Sequence, residues 1–247
     1  LGGLAGGDAR RSRPSSFRRA GVDIPPSTAD IRRTMKTPRL VFVIALATVL
    51  FTGLFATGGL GAFDFWWWMG TNAVVLLAAG FLLDPTYAPA LREDLRTRPV
   101  AKIAGGLASA VVLYGVFWAG NLVLRAGIGE PAGQGIDRVY GFREGATLVR
   151  VALTIALLIG PTEEVFWRGL LQRNLAVRLG PLRALGLATA LYAGVHLASG
   201  NPVLVLAALV CGVFWGWMYL RWKSVLMNVV SHTAWDLLAF LVLPFHG

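Results

Sequence analysis

Seven polar residues in three short patterns have the types and spacing that hydrolytic chemistry needs. The patterns are Glu163-Glu164-x-x-x-Arg168, Tyr192-x-x-x-His196 and His232-x-x-x-Asp236, and each lies in an otherwise apolar stretch. An ionised side chain in the centre of a membrane-spanning helix costs about 3 kcal/mol or more, so such residues mark a functional site by default. Three separate segments that carry these groups predict one converging site inside the membrane.

Helical geometry predicts different roles for the two adjacent glutamates. Positions four apart share one face of a helix, so Glu164 and Arg168 can form an ion pair. Glu163 is rotated about 100° from Glu164 around the helix and is left without that partner. We therefore predict that Glu164 and Arg168 support the helix, and that Glu163 is the working carboxylate and acts as a general base.

The two histidine patterns supply the remaining groups of the predicted site. His196 could share with Glu163 the task of holding and deprotonating a water molecule. Tyr192, four residues before His196, could orient that histidine or close the pocket. His232 and Asp236 are also four apart and would lie side by side. Together they could bind a developing oxyanion if Asp236 is protonated or His232 donates a hydrogen bond.

The composition places these residues in a membrane protein. Of the 247 residues, 55% are hydrophobic and 15% charged, the mean hydropathy is +0.61, and soluble domains carry roughly 25% charged residues. The single cysteine excludes an internal disulfide framework. Because a bilayer core about 30 Å thick takes about 20 apolar residues of helix, we predict an all-α polytopic bundle with about seven spanning helices. The candidate spans are Leu40–Leu60, Phe65–Leu83, Ile103–Leu124, Thr147–Leu171, Arg183–Ser199, Pro202–Leu220 and Ser224–Leu243.

Basic charge is concentrated at the N-terminus. The formal net charge is +10, and residues 1–39 hold nine Lys and Arg against three Asp. We interpret residues 1–39 as a basic, disordered tail and residues 40–247 as the transmembrane domain. The first methionine is Met35, so translation could begin there. No basic surface interleaved with aromatic residues follows the tail, and nucleic-acid binding is therefore not predicted.

The distribution of Lys and Arg also predicts the orientation. With the N-terminus inside, the cytoplasmic segments hold nine, four, three and two of these residues, and the outer connections hold none, three and none. This bias predicts a cytoplasmic N-terminus in a plasma membrane of the bacterial type. Glu163, His196 and His232 then lie roughly 13–20 Å from the cytoplasmic boundary, in one layer.

The ordered trio of motifs resembles the CAAX-protease and bacteriocin-processing (CPBP, or Abi) family of intramembrane endopeptidases. That family's patterns are Glu-Glu-x-x-x-Arg, Phe-x-x-x-His and His-x-x-x-Asn/Asp on successive transmembrane helices, and the resemblance covers roughly residues 100–243. This sequence departs from the family at one position, where Tyr192 stands for the usual Phe. Tyrosine keeps the aromatic wall and adds a hydroxyl group.

The resemblance implies a transmembrane bundle that hydrolyses peptide bonds of membrane-associated substrates, prenylated ones among them. Carried over residue by residue, it implies that Glu163 and His196 activate water, and that His232 and Asp236 stabilise the tetrahedral intermediate. The expected partners are the lipid bilayer and a peptide or lipidated-peptide substrate. A cavity open to the cytoplasm and to the lipid could admit such a substrate.

Two other classes of function stay open on the residues alone. Glu163, His196 and His232 could instead bind zinc with a free position for water. We favour a metal-free and cofactor-free mechanism, because the three groups lack a His-Glu-x-x-His arrangement and Arg168 beside them would repel a cation. The second class is non-catalytic, either a proton relay or a membrane scaffold. The sequence lacks the paired, interrupted helices that indicate an inverted-repeat transporter.

Overall fold

The chain forms a bundle of α-helices, seen in a computed structural model that describes residues 35–245. Residues 1–34 of the predicted basic tail lie outside the described residues. Strand structure within the described range is one antiparallel pair, Gly59–Leu60 with Phe63–Asp64, which reverses the chain between the first two long helices. The all-α membrane bundle predicted from composition is confirmed.

The helices follow one another with short connections. Numbered in chain order, they are α1 (Thr37–Thr57), α2 (Phe65–Leu83), α3 (Tyr87–Arg96), α4 (Pro99–Ile128), α5 (Glu130–Gly141), α6 (Leu148–Thr154), α7 (Gly160–Glu163), α8 (Arg173–Leu179), α9 (Pro181–Val195), α10 (Pro202–Trp222) and α11 (Val225–Leu237). Residues 148–179, here called the motif helix, are continuously helical because π-helical stretches at Ile155–Ile159 and Glu164–Gln172 join α6, α7 and α8. A 3-10 turn at His196–Ser199 follows α9, and a π-helical stretch at Leu238–Val242 extends α11.

Five helices of the described chain are long and apolar enough to cross a membrane, judged by length and composition. They are α1, α2, α4, α10 and α11 with its π-helical extension. The two other predicted spans are helical as well, but the π-helical stretches interrupt the motif helix, and α9 has only 15 residues before its 3-10 turn. The motif helix carries Glu163, Glu164 and Arg168, and His196 is the first residue of the 3-10 turn after α9. Irregular helix is tolerated at membrane depth where protein, rather than lipid, surrounds it.

The connections between the second and third and between the third and fourth predicted spans contain the short helices α3 and α5. Each helix buries one face, with Tyr87 inside on α3 and Ala132 and Ile136 inside on α5. The Tyr87 hydroxyl donates to the carbonyl oxygen of Val165 at 2.8 Å, which holds α3 against the motif helix. Both short helices therefore cover the ends of the bundle.

The two ends of the bundle are formed by different segments, and each is named here after one of its residues. The Met35 end comprises Met35, the connection between α2 and α4, the turn between α8 and α9, and the turn between α10 and α11. The Phe65 end comprises the strand pair, α5, the turn after α9 and Phe245. At the Met35 end, Asn174 is buried and joins three segments, since it donates to Asp84 and accepts from the backbone N–H of Met35.

The Phe65 end contains a helix cap that joins two spans. Asp64 accepts hydrogen bonds from the backbone N–H groups of Trp66 and Trp67, which satisfies donors in the first turn of α2. Arg150 of α6 forms an ion pair with the same carboxylate. Burial acts to raise the pKa of Asp64, but these hydrogen bonds and the charge of Arg150 outweigh it and leave the pKa lowered. The cap therefore fixes α2 to the motif helix.

The most extensive helix contact joins α4 to α11, and it requires a glycine. A Cβ atom at Gly106 would lie 2.7 Å from the carbonyl oxygen of Met227 and 2.7 Å from the Cβ of Val230. Gly115, further along α4, has no atom within 4 Å of such a Cβ. Gly115 lies on the exposed face of α4, so the close approach to α11 concerns the face that carries Gly106.

We expect Gly106→Ala to lower the stability of the purified protein in detergent by about 1–3 kcal/mol, because the added methyl group overpacks the contact with α11. Gly115→Ala is the matched control, and it should leave stability unchanged or slightly raised, since alanine favours the helix. Thermal unfolding followed by circular dichroism measures both variants. Equal unfolding midpoints for the two variants would contradict the close packing of α4 on α11.

Candidate active site

The three motifs meet at one cavity inside the bundle. The cavity has a volume of about 300 Å³ and is walled mainly by apolar side chains. Five of the seven predicted site residues line it: Glu163, Tyr192, His196, His232 and Asp236. The other two, Glu164 and Arg168, are buried behind this wall with 0% and 2% of their surface exposed. The structure thus brings together all seven side chains that the sequence singles out.

Glu164 accepts from three donors on two helices. Its Oε1 lies 2.7 Å from Nη1 of Arg168 and 2.8 Å from Nδ1 of His232. Its Oε2 accepts from the side-chain amide of Asn228 at 3.1 Å. Because hydrogen bonds to a charged group are strong and a buried carboxylate without partners is costly, this network holds the motif helix against α11.

Arg168 completes the support with contacts on its other side. Its guanidinium lies 4.8 Å from the ring centre of Tyr192 and 5.5 Å from that of Trp215, distances at which a cation interacts with an aromatic face. Its Nη2 also donates to the carbonyl oxygen of Cys211 at 3.5 Å. The arginine therefore links the motif helix to α9 and α10 while its charge is balanced by Glu164.

Glu163 differs from its neighbour in having an uncommitted oxygen. The side chain is buried, with 6% of its surface exposed, and it faces the cavity. Its Oε2 has no hydrogen-bond partner among residues 35–245. Its carboxylate interacts electrostatically with the hydroxyl group of Tyr192. Buried polar atoms are nearly always satisfied, so an uncommitted carboxylate oxygen in a cavity wall is available to a water molecule or a substrate.

His196 is oriented by the backbone of its own helix. Its Nδ1 lies 2.8 Å from the carbonyl oxygen of Tyr192. A carbonyl oxygen only accepts, so Nδ1 carries the hydrogen atom, and in the neutral ring Nε2 keeps a lone pair. The ring packs at 4.4 Å, centre to centre, from that of Phe55. His196 can therefore accept a proton through Nε2.

His232 and Asp236 face each other across one helical turn. Nε2 of His232 lies 3.4 Å from Oδ2 of Asp236, and Nδ1 is engaged by Glu164. Trp215 stacks on the imidazole ring with centres 3.8 Å apart, and its indole N–H donates to the hydroxyl group of Ser231. Both ring nitrogens of His232 therefore point at carboxylates, and the ring plane is fixed by the tryptophan.

Asn228 and Trp215 are site residues that the motif analysis does not identify. Asn228 binds Glu164 and the carbonyl oxygen of Trp215. Asn228 is four residues before His232, which is four residues before Asp236, so the three side chains lie on one face of the helix. This spacing could have identified Asn228 from the sequence. Trp215 has no such signal, because it is one of nine tryptophans.

The geometry also bears on metal binding. In the part of the chain from residue 35 to residue 245, no three His, Cys, Asp or Glu side chains lie close enough together to hold a metal ion. Nδ1 of His196 is bound to a backbone carbonyl and Nδ1 of His232 to Glu164, so each ring could offer only Nε2. The metal-free mechanism stays a prediction that a chelator can test.

Comparison with known proteins addresses the family directly. The family model described as type II CAAX prenyl endopeptidase Rce1-like matches residues 145–238, a segment that contains all three motifs. No curated protein and no solved structure matches the chain. The matched family consists of CAAX-type proteases, and the long apolar helices belong to an integral membrane protein. The motif-bearing segment, residues 145–238, thus matches a model of the CAAX-protease family that its motifs predict.

Proposed function

We propose that the chain is an intramembrane endopeptidase in which Glu163 and His196 activate a water molecule. The observation that carries this proposal is the Glu163 carboxylate, which is buried in the cavity wall and has one oxygen without a partner in the described protein. His196 supports it, because its Nε2 can accept a proton and its ring lines the same cavity. General bases of this kind typically contribute a rate factor of about 10²–10⁴.

The proposed reaction is a direct hydrolysis. The water oxygen attacks the carbonyl carbon of the peptide bond while Glu163 or His196 takes one of its protons. The C=O electron pair moves to oxygen, and the resulting oxyanion accepts a hydrogen bond from Nε2–H of a doubly protonated His232 or from a protonated Asp236. The C–N bond then breaks, and the proton held by the base passes to the leaving nitrogen.

In this proposal, Glu164 and Arg168 hold other side chains of the site in position. Glu164 fixes the ring of His232 through Nδ1, so Nε2 is directed towards Asp236, which also lines the cavity. Arg168 balances the Glu164 charge and packs against Tyr192, whose hydroxyl interacts with Glu163. Neither side chain faces the cavity, so neither would contact the substrate.

The apolar walls favour a substrate that reaches the site from the membrane. Phe117, Ile159 and Phe240 are among the lining residues, and aliphatic and aromatic surface of this kind suits an apolar peptide or an attached lipid. We therefore propose membrane-associated peptides, prenylated ones among them, as the substrate class. We further propose a plasma membrane of the bacterial type, with the N-terminus in the cytoplasm.

Glu163→Gln should abolish peptide cleavage, with a loss of at least about 10²-fold, because an amide cannot take the water proton. The measurement is cleavage of a farnesylated CAAX peptide by purified protein, together with a comparison of membrane-peptide termini in cells that contain either form. Glu144→Gln, at an exposed carboxylate outside the cavity, is the matched control and should cleave normally. Cleavage by Glu163→Gln at the unmodified rate would refute the proposed role.

Glu164→Gln should instead destabilise the protein, by about 3–5 kcal/mol, because it leaves the buried Arg168 charge uncompensated. Glu163→Gln serves as the isosteric comparison, and it should unfold at or above the temperature of the unmodified protein, since it removes a buried carboxylate oxygen without a partner. Thermal unfolding in detergent measures both. If Glu164→Gln were as stable as the unmodified protein, the supporting role would be wrong.

Treatment with a zinc chelator should leave cleavage of the same peptide unchanged, because the proposed base is a carboxylate and an imidazole rather than a metal-bound hydroxide. The control adds zinc back after dialysis and measures both the rate and the metal content of the purified protein. Loss of cleavage in chelator and its recovery with zinc would favour the zinc-dependent alternative.

A further inference from the structure

One wall of the cavity includes a segment that follows the last helix. Residues 243–245, here called the strap, come directly after the π-helical extension of α11 and lie at the Phe65 end. Their backbone is not helical, and Phe245 lines the cavity. Backbone polar groups outside regular structure need partners elsewhere in the protein. The partners of the strap therefore determine where this wall lies.

Polar side chains of α4 hold the strap by its backbone. The Tyr114 hydroxyl donates to the carbonyl oxygen of Leu243 at 2.9 Å. The carbonyl oxygen of Phe245 accepts from Nη2 of Arg125 at 3.2 Å and from the side-chain amide of Asn121 at 3.5 Å. Arg125 also donates through Nε to Oδ1 of Asn121 at 3.0 Å, so the two donors support each other. The strap is thus fixed along about three turns of α4.

The helix α5 and the residues after it hold the strap from another side. The Tyr140 hydroxyl accepts from the backbone N–H of Phe245 at 2.8 Å and donates to the carbonyl oxygen of Ala239 at 2.9 Å. Arg143 donates through Nη1 to the carbonyl oxygen of Phe240 at 2.6 Å. The last carbonyl groups of a helix have no partners within it, so these bonds satisfy acceptors that the end of α11 leaves open. The strap and the extension of α11 are therefore held by α4 and α5 together.

The ring of Phe245 belongs to a row of aromatic side chains in the cavity wall. It stacks on Tyr114 with ring centres 4.8 Å apart, and its centre lies 6.3 Å from that of Phe117. Phe117 in turn packs against Trp235 with centres 4.6 Å apart, and Trp235 precedes Asp236 on α11. Aromatic pairs at these separations stabilise each other beyond the area that they bury. The row therefore forms a firm wall from the strap to the proposed catalytic groups.

The cavity extends from the proposed catalytic groups towards the strap. The motif helix lines it from Glu163 back to Ile155, and α11 with its extension lines it from His232 to Phe240. Each stretch covers eight residue steps, which is roughly 12 Å of helix at 1.5 Å per residue. The walls along this length are mainly apolar. An apolar group that is attached to a substrate beside Glu163 can therefore lie along the cavity in the direction of Phe245.

We propose that Phe245 is a specificity-determining residue, and that its ring sets the size of the apolar group that a substrate can place in the cavity. The strap holds the ring, so a larger group cannot displace it without breaking hydrogen bonds to α4 and α5. In a hydrophobic pocket, one added or missing methylene group changes recognition about 10–200-fold. This proposal rests on the proposed function for the nature of the group, an isoprenoid attached to the peptide.

Equilibrium binding of two fluorescent CAAX peptides tests the role of Phe245. The peptides share one sequence and carry either a farnesyl group or a geranylgeranyl group, which is longer by one isoprene unit. Phe245→Ala removes the ring, and Phe245→Leu keeps part of its bulk. Phe42→Ala is the matched control, because Phe42 is 55% exposed on α1 and does not line the cavity. All proteins carry Glu163→Gln so that turnover does not disturb the equilibrium, and all are measured in one detergent.

We expect Phe245→Ala to shift the ratio of the two Kd values at least about tenfold in favour of the geranylgeranyl peptide. Phe245→Leu should shift it less and in the same direction, and Phe42→Ala should leave it unchanged. An unchanged ratio in both Phe245 variants, an equal loss of binding for both peptides, or an equal shift in Phe42→Ala would overturn the proposal. So would a failure of the protein with Phe245 intact to bind either peptide.

Cleavage of the farnesylated peptide by the protein that retains Glu163 tests the protease function separately. Peptides that bind with the expected ratios and stay uncleaved by that protein would contradict the protease function alone. Cleavage together with an unchanged Kd ratio in the Phe245 variants would contradict the role of Phe245 alone.

Discussion

The buried carboxylate of Glu164 binds a guanidinium, an imidazole and an amide that come from two helices. In an apolar interior such a charge is stable only when its partners are in place, and each partner is equally dependent on the carboxylate. The network consequently fixes the rotation of the motif helix relative to α11. That rotation in turn determines that Glu163 faces the cavity and that Nε2 of His232 points at Asp236 in the cavity wall.

The same constraint explains why the remaining polar groups of the site are held so closely. His196 is tied to the backbone of its helix, and the ring of His232 is held between Glu164 and Trp215. A membrane offers no water to satisfy groups that miss their partners, so each side chain has one favourable position. Glu163 faces the cavity and keeps one oxygen without a protein partner in the described chain, and this oxygen is what gives the site its proposed chemistry.

The sequence is sufficient to predict the helical class, the five long spans and the seven motif residues, because apolar length and costly charges are local properties. It does not predict that the backbone from Glu164 to Gln172 is π-helical, where hydrogen bonds run between residues five apart. Glu164 and Arg168 nevertheless meet, because long side chains tolerate the changed phase. Trp215, the burial of α3 and α5, and the end at which the cavity lies all depend on tertiary packing, which no local pattern specifies.

The central claim is that Glu163 performs chemistry without being needed for substrate binding or for the fold. Equilibrium binding of a fluorescent farnesylated CAAX peptide to the purified Glu163→Gln variant tests it most directly, with turnover followed in the same sample. The account predicts an unchanged Kd together with an intact peptide after prolonged incubation. A cleaved peptide, or a Kd weakened as strongly as the rate, would contradict it.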